Sequence, residues 1–510
     1  MFLLTGFIAS ANKIENSGNK KLFDNNEKDI ENIRQNWITH DESDYFSKTI
    51  SKHFLFSKQT YPEDPNTPIN KKSLFMPYVV KFDKQRNMVI GGGIEEVTVT
   101  ESGAVIFNTL DKHIIMKLDQ QGNKIFKIVK EKTQYLYYVL GGIDIDSQNN
   151  IIISTLGLKN RLSMRFDCFV SKYNTKGEFL WEKKYELKLP ANPYAGCMLT
   201  AINSKGDIIF LTESNYFSLI GQTRYYRVIG KIDQNGNLVS KKILKDGTIV
   251  GDALWYPFDI KIDSRDNIVF GSMEYIDIDE KEKIYISKYD SNLEAIWDST
   301  VYYDNTKESE VNQNVHIGID KNNNLDDIIV ACTITGRVEG EYCGHVNIIK
   351  YDSNGNFLWE LTNDGGTYKD VSGVDIDSES NIITNGLSGD VFSDESRAMS
   401  TIKYSKNGDL KWEKTYPGID AYNLALDYLT NDIGAVGGII LATNNGEIAL
   451  NSTIIKYDSN GNLLWVIDDI LVKEGKNREK NINLPKIGFF TRLFNTIFDK
   501  ILKNQFLSMV

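Results

Sequence analysis

No run of 18 apolar residues occurs in the chain, so nothing in it has the length of a helix that spans a bilayer. Histidine is scarce, five in 510 residues, which leaves few candidates for imidazole acid–base chemistry. Gly-x-Ser-x-Gly, His-Glu-x-x-His, the P-loop and the dinucleotide fingerprint are all missing. The four cysteines (Cys168, Cys197, Cys332, Cys343) match no Cys-x-x-Cys motif and no metal spacing. Cys332 and Cys343 either close a short hairpin loop in an oxidising compartment or stay as free thiols in strands. A surplus of positive charge is lacking too. The net charge of −11 argues against sequence-independent nucleic-acid binding, which draws on clustered Lys and Arg. From Lys473 onward, however, eight Lys/Arg face three Asp/Glu, so the tail is +5 and the rest −16. With 41% hydrophobic and 25% charged residues, the chain is globular material rather than a disordered one.

What the chain does have is a repeat. KLDQQGNKIF from Lys117 returns as KYNTKGEFLW (Lys172), KIDQNGNLVS (Lys231), KYDSNLEAIW (Lys288), KYDSNGNFLW (Lys350), KYSKNGDLKW (Lys403) and KYDSNGNLLW (Lys456). The spacings are 55, 59, 57, 62, 53 and 53 residues. Each copy has hairpin chemistry: a strand ends at Tyr-Asp, Asp/Ser-x-Asn-Gly turns the chain, and an apolar strand follows. Asp352 is placed to bond back to turn amides, and Gly355 to adopt the left-handed conformation of a type I plus bulge loop. Blade four has Leu293 where the other six have Gly, which predicts a different turn there.

A second motif precedes each Lys. It is clearest as GIDIDSQNNIIIS (142–154), FDIKIDSRDNIVFG (258–271) and GVDIDSESNIITNG (373–386), and most degenerate at 423–438. It again reads as two short, β-branched strands around a turn. Each period of about 55 residues therefore holds four short strands, A-turn-B, a longer loop, then C-turn-D, with no helical signal. Seven such periods define an all-β fold, a seven-bladed β-propeller of four-stranded antiparallel blades over 76–468.

The units resemble the bacterial seven-bladed propeller repeat, with its Trp strand, Asp-Ser-x-Gly-Asn turn and Lys-Tyr-Asp, and are only distantly similar to NHL repeats. That resemblance implies an exported or envelope-associated protein. The Asp352-Gly355-Trp359 spacing is also similar to the docking motif of quinoprotein dehydrogenases. Both of its intervals are one residue shorter, and the adjacent-cysteine pair found in some of those enzymes is missing.

Other segments flank the ring. Phe2–Ile8 followed by Ala9-Ser10-Ala11 reads as a clipped export signal over 1–11, with a cytoplasmic location and an ordinary apolar end as the alternative. Residues 12–75 form a lead-in, within which FLFSKQTY (54–61) looks like the outer strand at 410–416 and is expected to clasp the ring. After a polar linker, 469–484, the segment 485–510 spaces Phe490, Leu493, Phe494, Ile497, Phe498, Ile501 and Leu502 as one face of a helix, with Arg492, Asn495, Asp499, Lys500 and Lys503 elsewhere around it. Such a C-terminal amphipathic helix docks on the propeller's side or a partner, or lies on a membrane surface.

Two places are candidates for function. The B–C and D–A connections differ in every blade and carry Tyr194, Tyr216, Phe217, Tyr225, Tyr226, Trp255 and Tyr256, in stretches such as 185–197 and 213–226 that read as long loops. Aromatic side chains there either bind a protein or carbohydrate ligand or pack the loops onto the blades. The innermost strands place Lys81, Asp144, Asp259, Lys261, His316 and Asp375 on one face, toward the central channel, with Ile143/Ile145, Ile260/Ile262 and Val374/Ile376 on the other. These form a self-paired polar channel or, alternatively, hold a divalent cation. The Asp-x-Asp-x-x-x-Asn strings at 144–150 and 375–381 lack a calcium loop's Gly and closing Glu. They read as turns capped by Asp146 and Asp377, with Asn150 and Asn381 left-handed. His316, His345 and Cys343 are a weak metal trio. The invariant Lys of each blade is scaffold, expected to pair with an acid after the Trp such as Glu182, Glu360 or Glu413. The functional expectation is a non-catalytic binding module without cofactor, catalytic residues or metal. The alternatives are a metal-assisted hydrolase or lyase acting on a sugar or lactone, and a quinone-dependent oxidoreductase.

Overall fold

The computed structural model describes residues 70–468, apart from connecting stretches at 100–104, 132–136, 159–165, 186–193, 196–198, 218–221, 251–254, 277–280, 305–308, 324–325, 339–340, 364–368, 390–396 and 443–447. The export signal, the 54–61 strand and the 485–510 helix lie outside the described residues. Blade 1 is β1 (Asn70–Phe82), β2 (Met88–Val99), β3 (Val105–Leu118) and β4 (Lys124–Glu131). Blade 2 is β5 (Tyr137–Ile145), β6 (Ile151–Leu158), β7 (Phe166–Tyr173) and β8 (Phe179–Tyr185). Blade 3 adds a two-residue β9 (Tyr194–Ala195) to β10 (Leu199–Ile202), β11 (Ile208–Phe217), β12 (Gln222–Ile232) and β13 (Leu238–Val250). Blade 4 is β14 (Trp255–Ile262), β15 (Ile268–Ile276), β16 (Lys281–Tyr289) and β17 (Ala295–Asp304). Blade 5 is β18 (Ser309–Asp320), β19 (Asp327–Val338), β20 (Glu341–Tyr351) and β21 (Phe357–Asn363). Blade 6 is β22 (Gly373–Ile376), β23 (Ile382–Ser388), β24 (Ala398–Tyr404) and β25 (Leu410–Pro417). Blade 7 is β26 (Asp420–Asp427), β27 (Asp432–Ala442), β28 (Ile448–Tyr457) and β29 (Leu463–Asp468). Every sheet keeps sequence order and every pairing is antiparallel, so each blade is a contiguous meander.

The core lies between blades, because one twisted sheet cannot bury both its apolar faces. Val89 and Ile115 of blade 1, for example, share a cluster with Ile143, Ile151 and Ile153 of blade 2. The C–D turn is built as its sequence indicates. Asp352 Oδ1 accepts the amides of Asn354 and Asn356 at 2.9 Å each, and Gly355 sits at φ 84° with its amide on the Asp352 carbonyl. The A–B turns use the same device, but the left-handed residue is one earlier than expected. It is Asn149 (φ 62°) and Ser380 (φ 65°), while Asn150 and Asn381 spend their amides on Asp146 and Asp377.

Leu293 does not change the blade 4 turn. It takes the left-handed conformation itself (φ 69°) and keeps the same turn bonds, Leu293 N to Asp290 O and Asp290 N to Glu294 O. The reason lies in the next blade. In five blades the outer-strand Trp, and in blade 1 Phe126, lies over the turn Gly of the following blade. A Cβ on Gly122, Gly236, Gly355, Gly408 or Gly461 would meet Trp465, Trp181, Trp297, Trp359 or Trp412 at 2.9 to 3.7 Å. Blade 3 alone has a small residue, Ser240, at the Trp position. Leu293 is 2% exposed, within a cluster holding Ile229, Ile260 and Tyr289, so its burial offsets the backbone strain.

The repeated Lys is scaffold, but its partner is not the acid after the Trp. It reaches across the sheet to a carboxylate of the A–B turn. The pairs are Lys117–Asp83 (2.7 Å), Lys172–Asp146 (2.9 Å), Lys231–Asp207 (2.8 Å), Lys288–Asp263 (2.9 Å), Lys350–Asp327 (3.0 Å), Lys403–Asp377 (2.8 Å) and Lys456–Asp432 (3.1 Å). The carboxylate stands at the first or the last position of the turn, so its place is kept while its sequence position moves. Lys117, Lys288 and Lys403 also donate to the turn carbonyls of Thr175, Ser353 and Ser459 in the next blade. Glu182, Glu360 and Glu413 instead bind Lys130 and Ser171, Asn347, and Lys369 and Ser400.

The ring closes between blades 7 and 1 by side chains, with β1 packed against β26, β27 and β28. Arg86 Nε lies 2.6 Å from Asp427 Oδ2, Trp465 Nε1 donates to Gln120 O at 2.9 Å, and the Val80 amide donates to Asn423 Oδ1 at 3.3 Å. The Cys332–Cys343 disulfide does not form. Cys332 pairs across β19–β20 with Asn347 and Cys343 with Gly336, four residues apart along the ladder and about 13 Å at strand rise, beyond disulfide reach, and Cys332 is buried.

Two outcomes are expected in urea titrations. Leu293→Gly, which restores the residue of the other six turns, lowers the unfolding free energy by about 1–2 kcal/mol, since lost burial outweighs relieved strain. A neutral or stabilising result would show that Leu293 fills no space. Asp263→Asn strands the buried Lys288 and costs about 3–5 kcal/mol, and adding Lys288→Met recovers most of it.

Candidate functional site: the central channel

The inner strands β1, β5, β14, β18 and β22 bring the six channel residues together. Their apolar alternates are buried, Ile143 at 2% and Ile260 at 4% exposed, whereas Lys81, Asp144, Asp259, Lys261, His316 and Asp375 are all half-buried. Lys81 Nζ is 3.8 Å from Asp144 Oδ1, and Lys261 Nζ is 3.2 Å from Asp259 Oδ2. Lys261 feels Asp259, Asp375 and Asp144 together. Those charges outweigh its burial and raise its pKa above the usual lysine value.

Each carboxylate also ties its blade to the next. Asp144 Oδ2 accepts from Thr200 Oγ1 at 3.0 Å, and Asp259 Oδ2 accepts the Ile317 amide at 3.1 Å. Asp375 Oδ2 accepts the Leu426 amide at 3.3 Å, while its Oδ1 accepts from Tyr428 OH at 2.8 Å. Blades 2, 4 and 6 are thereby fastened to blades 3, 5 and 7. The neutral Asn423 does the same between blades 7 and 1, from the offset to its turn Asp that Asp259 has in blade 4. That shared offset is the signal by which Asn423 is readable in the sequence. Thr200 and Tyr428 carry no such signal, and Tyr428 comes from an A–B turn.

Burial sets the protonation behaviour. It raises the Asp144 pKa, against the pull of Lys81 and Thr200. Asp259 also loses hydration, but Lys261, His316 and the Ile317 amide more than compensate and hold it below the usual carboxylate range. His316 is pushed down to about 4 by burial, with Asp259 opposing and Lys261 reinforcing.

Among the described residues no three His, Cys, Asp or Glu side chains are grouped to hold a metal ion. Asp146 and Asp377 spend their oxygens on turn amides and on Lys172 and Lys403. His316 lines the channel, whereas His345 pairs with Ile334 on the β19–β20 ladder, and the Cys343 side chain lies outside the described residues. So do the side chains of Tyr194, Tyr216, Phe217, Tyr225, Tyr226, Trp255 and Tyr256. Their backbones are strand rather than loop: β11 runs to Phe217 and β12 starts at Gln222, with Tyr194 opposite Asn215.

The chain is a seven-bladed β-propeller. No family model and no curated relative matches it. Solved structures similar to it include the polysaccharide lyase Uly1 (8% identity, 82% of this chain and 94% of that one, TM-score 0.40). The alpha-L-arabinanase of Penicillium chrysogenum gives 10% identity, 64% and 94% coverage and a TM-score of 0.40. The β-propeller domain of the Trilobed protease from Pyrococcus furiosus gives 12%, 67% and 95%, and 0.31.

Acid stability follows from two imidazoles. His113 is 2% exposed, its ring 4.7 Å from the Tyr138 ring and tilted 38° to it, and burial together with Lys130 pushes its pKa down to about 3. In the unfolded chain both His113 and His316 take up a proton near pH 6.5. The stability they confer is thus complete above that pH and is lost as the pH falls toward 4 and 3, at up to about 1.4 kcal/mol per pH unit for His113. His113→Phe with His316→Gln is expected to flatten the unfolding free energy between pH 6.5 and 4. An unchanged slope would assign the acid loss to other groups.

Proposed function

We propose that the protein is a non-catalytic binding module of the cell envelope or secreted space, with its ligand site on the face made by the B–C and D–A connections. The observation that carries this reading is that every channel carboxylate is already engaged. Asp144, Asp259 and Asp375 are each held by a neighbouring blade's hydroxyl or amide, and two of them by a Lys as well. Groups committed to fastening inner strands are poor donors for a catalytic ion. The C–D turns repeat one chemistry in all seven blades and the A–B turns in five, so differences that select a ligand belong to the other end. Blade 3 supports that choice, since its β11–β12 hairpin is long and gains β9 as an extra strand.

The full chain, probed on glycan and peptide arrays, is expected to bind a ligand class whose signal disappears when 218–221 is replaced by a Gly-Ser tract and survives Asp259→Asn. A stoichiometric divalent ion in the purified protein, with turnover of a lactone or acidic polysaccharide that Asp259→Asn abolishes, would instead make it a hydrolase or lyase.

A further inference from the structure

Each blade presents an outer strand whose free edge and apolar residues face solvent. Leu180 (47% exposed), Leu358 (46%) and Leu464 (49%) hold equivalent positions on β8, β21 and β29. In most blades a charge interrupts the apolar run within four residues: Glu182, Lys241, Asp298, Glu360 and Lys411, with Lys124 and Lys127 in blade 1. Blade 7 is different. Its outer strand reads Leu-Leu-Trp-Val-Ile over 463–467 before its first charge at Asp468. Leu463 and Leu464 are 52% and 49% exposed, while Trp465 and Ile467 pack toward blade 1 and Val466 toward blade 6. An uncharged, exposed edge strand invites pairing with other chains, and proteins blunt such edges with charge or cover them with a helix or loop. This edge carries no charge before its last residue, Asp468.

We propose that residues 485–510 of the same chain cover the outer face of β29. Three observations select that occupant. The first is tether: 485–510 follows β29 in sequence after 16 residues, and a random chain of that length spans roughly 20–25 Å, enough to reach back along the strand. The second is fit: Phe490, Leu493, Phe494, Ile497, Phe498 and Ile501 present one apolar face, and a helix over 486–503 is about 27 Å long against about 20 Å for the strand. The third is charge: the tail carries +5 against −16 for the rest, so the field of the ring draws it in. Blade 1, also within reach, offers Lys124 and Lys127 at exposed positions of its outer strand and repels a basic segment.

The test uses the full chain carrying Leu464→Cys, with maleimide labelling at that site followed by peptide mass spectrometry and Leu358→Cys on blade 5 as the control position. Labelling at position 464 is expected to be about tenfold slower than at 358. Adding Phe494→Asp and Phe498→Asp is expected to make the two rates equal. Equal rates without those changes would overturn the proposal. So would protection at 464 that arises only with vesicles of phosphatidylglycerol, which would assign the apolar face to a membrane. Protection that scales with protein concentration, with a doubled mass in light scattering, would assign the edge to a second copy.

Discussion

The buried pair between the C-strand Lys and an A–B turn carboxylate is the interaction on which the ring depends. Burying an ammonium beneath seven turns is tolerable only if each finds a carboxylate at hydrogen-bond distance and its remaining donors are used. Both conditions hold in blade 4. Lys288 is 3% exposed at its side chain and reaches Asp263 on its own sheet and Ser353 on the next. Asp263, Asp146 and Asp377 lose hydration through burial, yet the Lys, the paired Asn and the turn amides hold each of them ionised below the usual carboxylate range. One residue type per blade thus joins the inner half of a sheet to its outer half, and that sheet to its neighbour.

Around that pair the A–B turns are linked in their own circle. The left-handed residue of one turn accepts the second amide of the preceding turn through its side chain, as Asn149 does for Lys84, Asp266 for Ser204, Asp326 for Ser264 and Asn431 for Ser378. Asn and Asp suit the position twice over, since they tolerate positive φ and carry the acceptor. At the seam the left-handed residue is Arg86 (φ 68°), and the link becomes an ion pair with Asp427 and Asp432. Among the described residues the first and last blades share no strand, so these polar contacts, Trp465 and the apolar cluster of Phe75, Val80 and Ile90 with Val436 and Ile454 carry the closure.

Much of this was legible in the sequence. The period gave seven blades, and the Asp-x-Asn-Gly chemistry gave the turns, because both are local patterns. What local reading missed were partners set by the closed ring. Leu293 looked incompatible with a left-handed turn because the space left by Ser240 belongs to another blade. The Lys was matched to a nearby Glu because the true carboxylate sits on a separate hairpin and changes its place in the turn. The channel residues were readable from strand parity, but their attachment to the next blade through Thr200, Ile317 and Leu426 depends on how inner strands stagger. Tyr216, Phe217, Tyr225 and Tyr226, which read as loop, lie on strands because pairing in blade 3 continues past its apolar core.

The exchange between Ser240 and Leu293 also bears on how such a ring can change over time. A blade with Trp in front of a neighbour with Gly is interchangeable with most others, so units can be copied or shuffled without disturbing their junctions. Blade 4 moved behind a Trp-bearing blade would drive an indole into a leucine, and blade 3 moved ahead of a glycine would open a void. Blades 3 and 4 can therefore only be inherited together, which fixes one junction as a landmark in an otherwise modular circle.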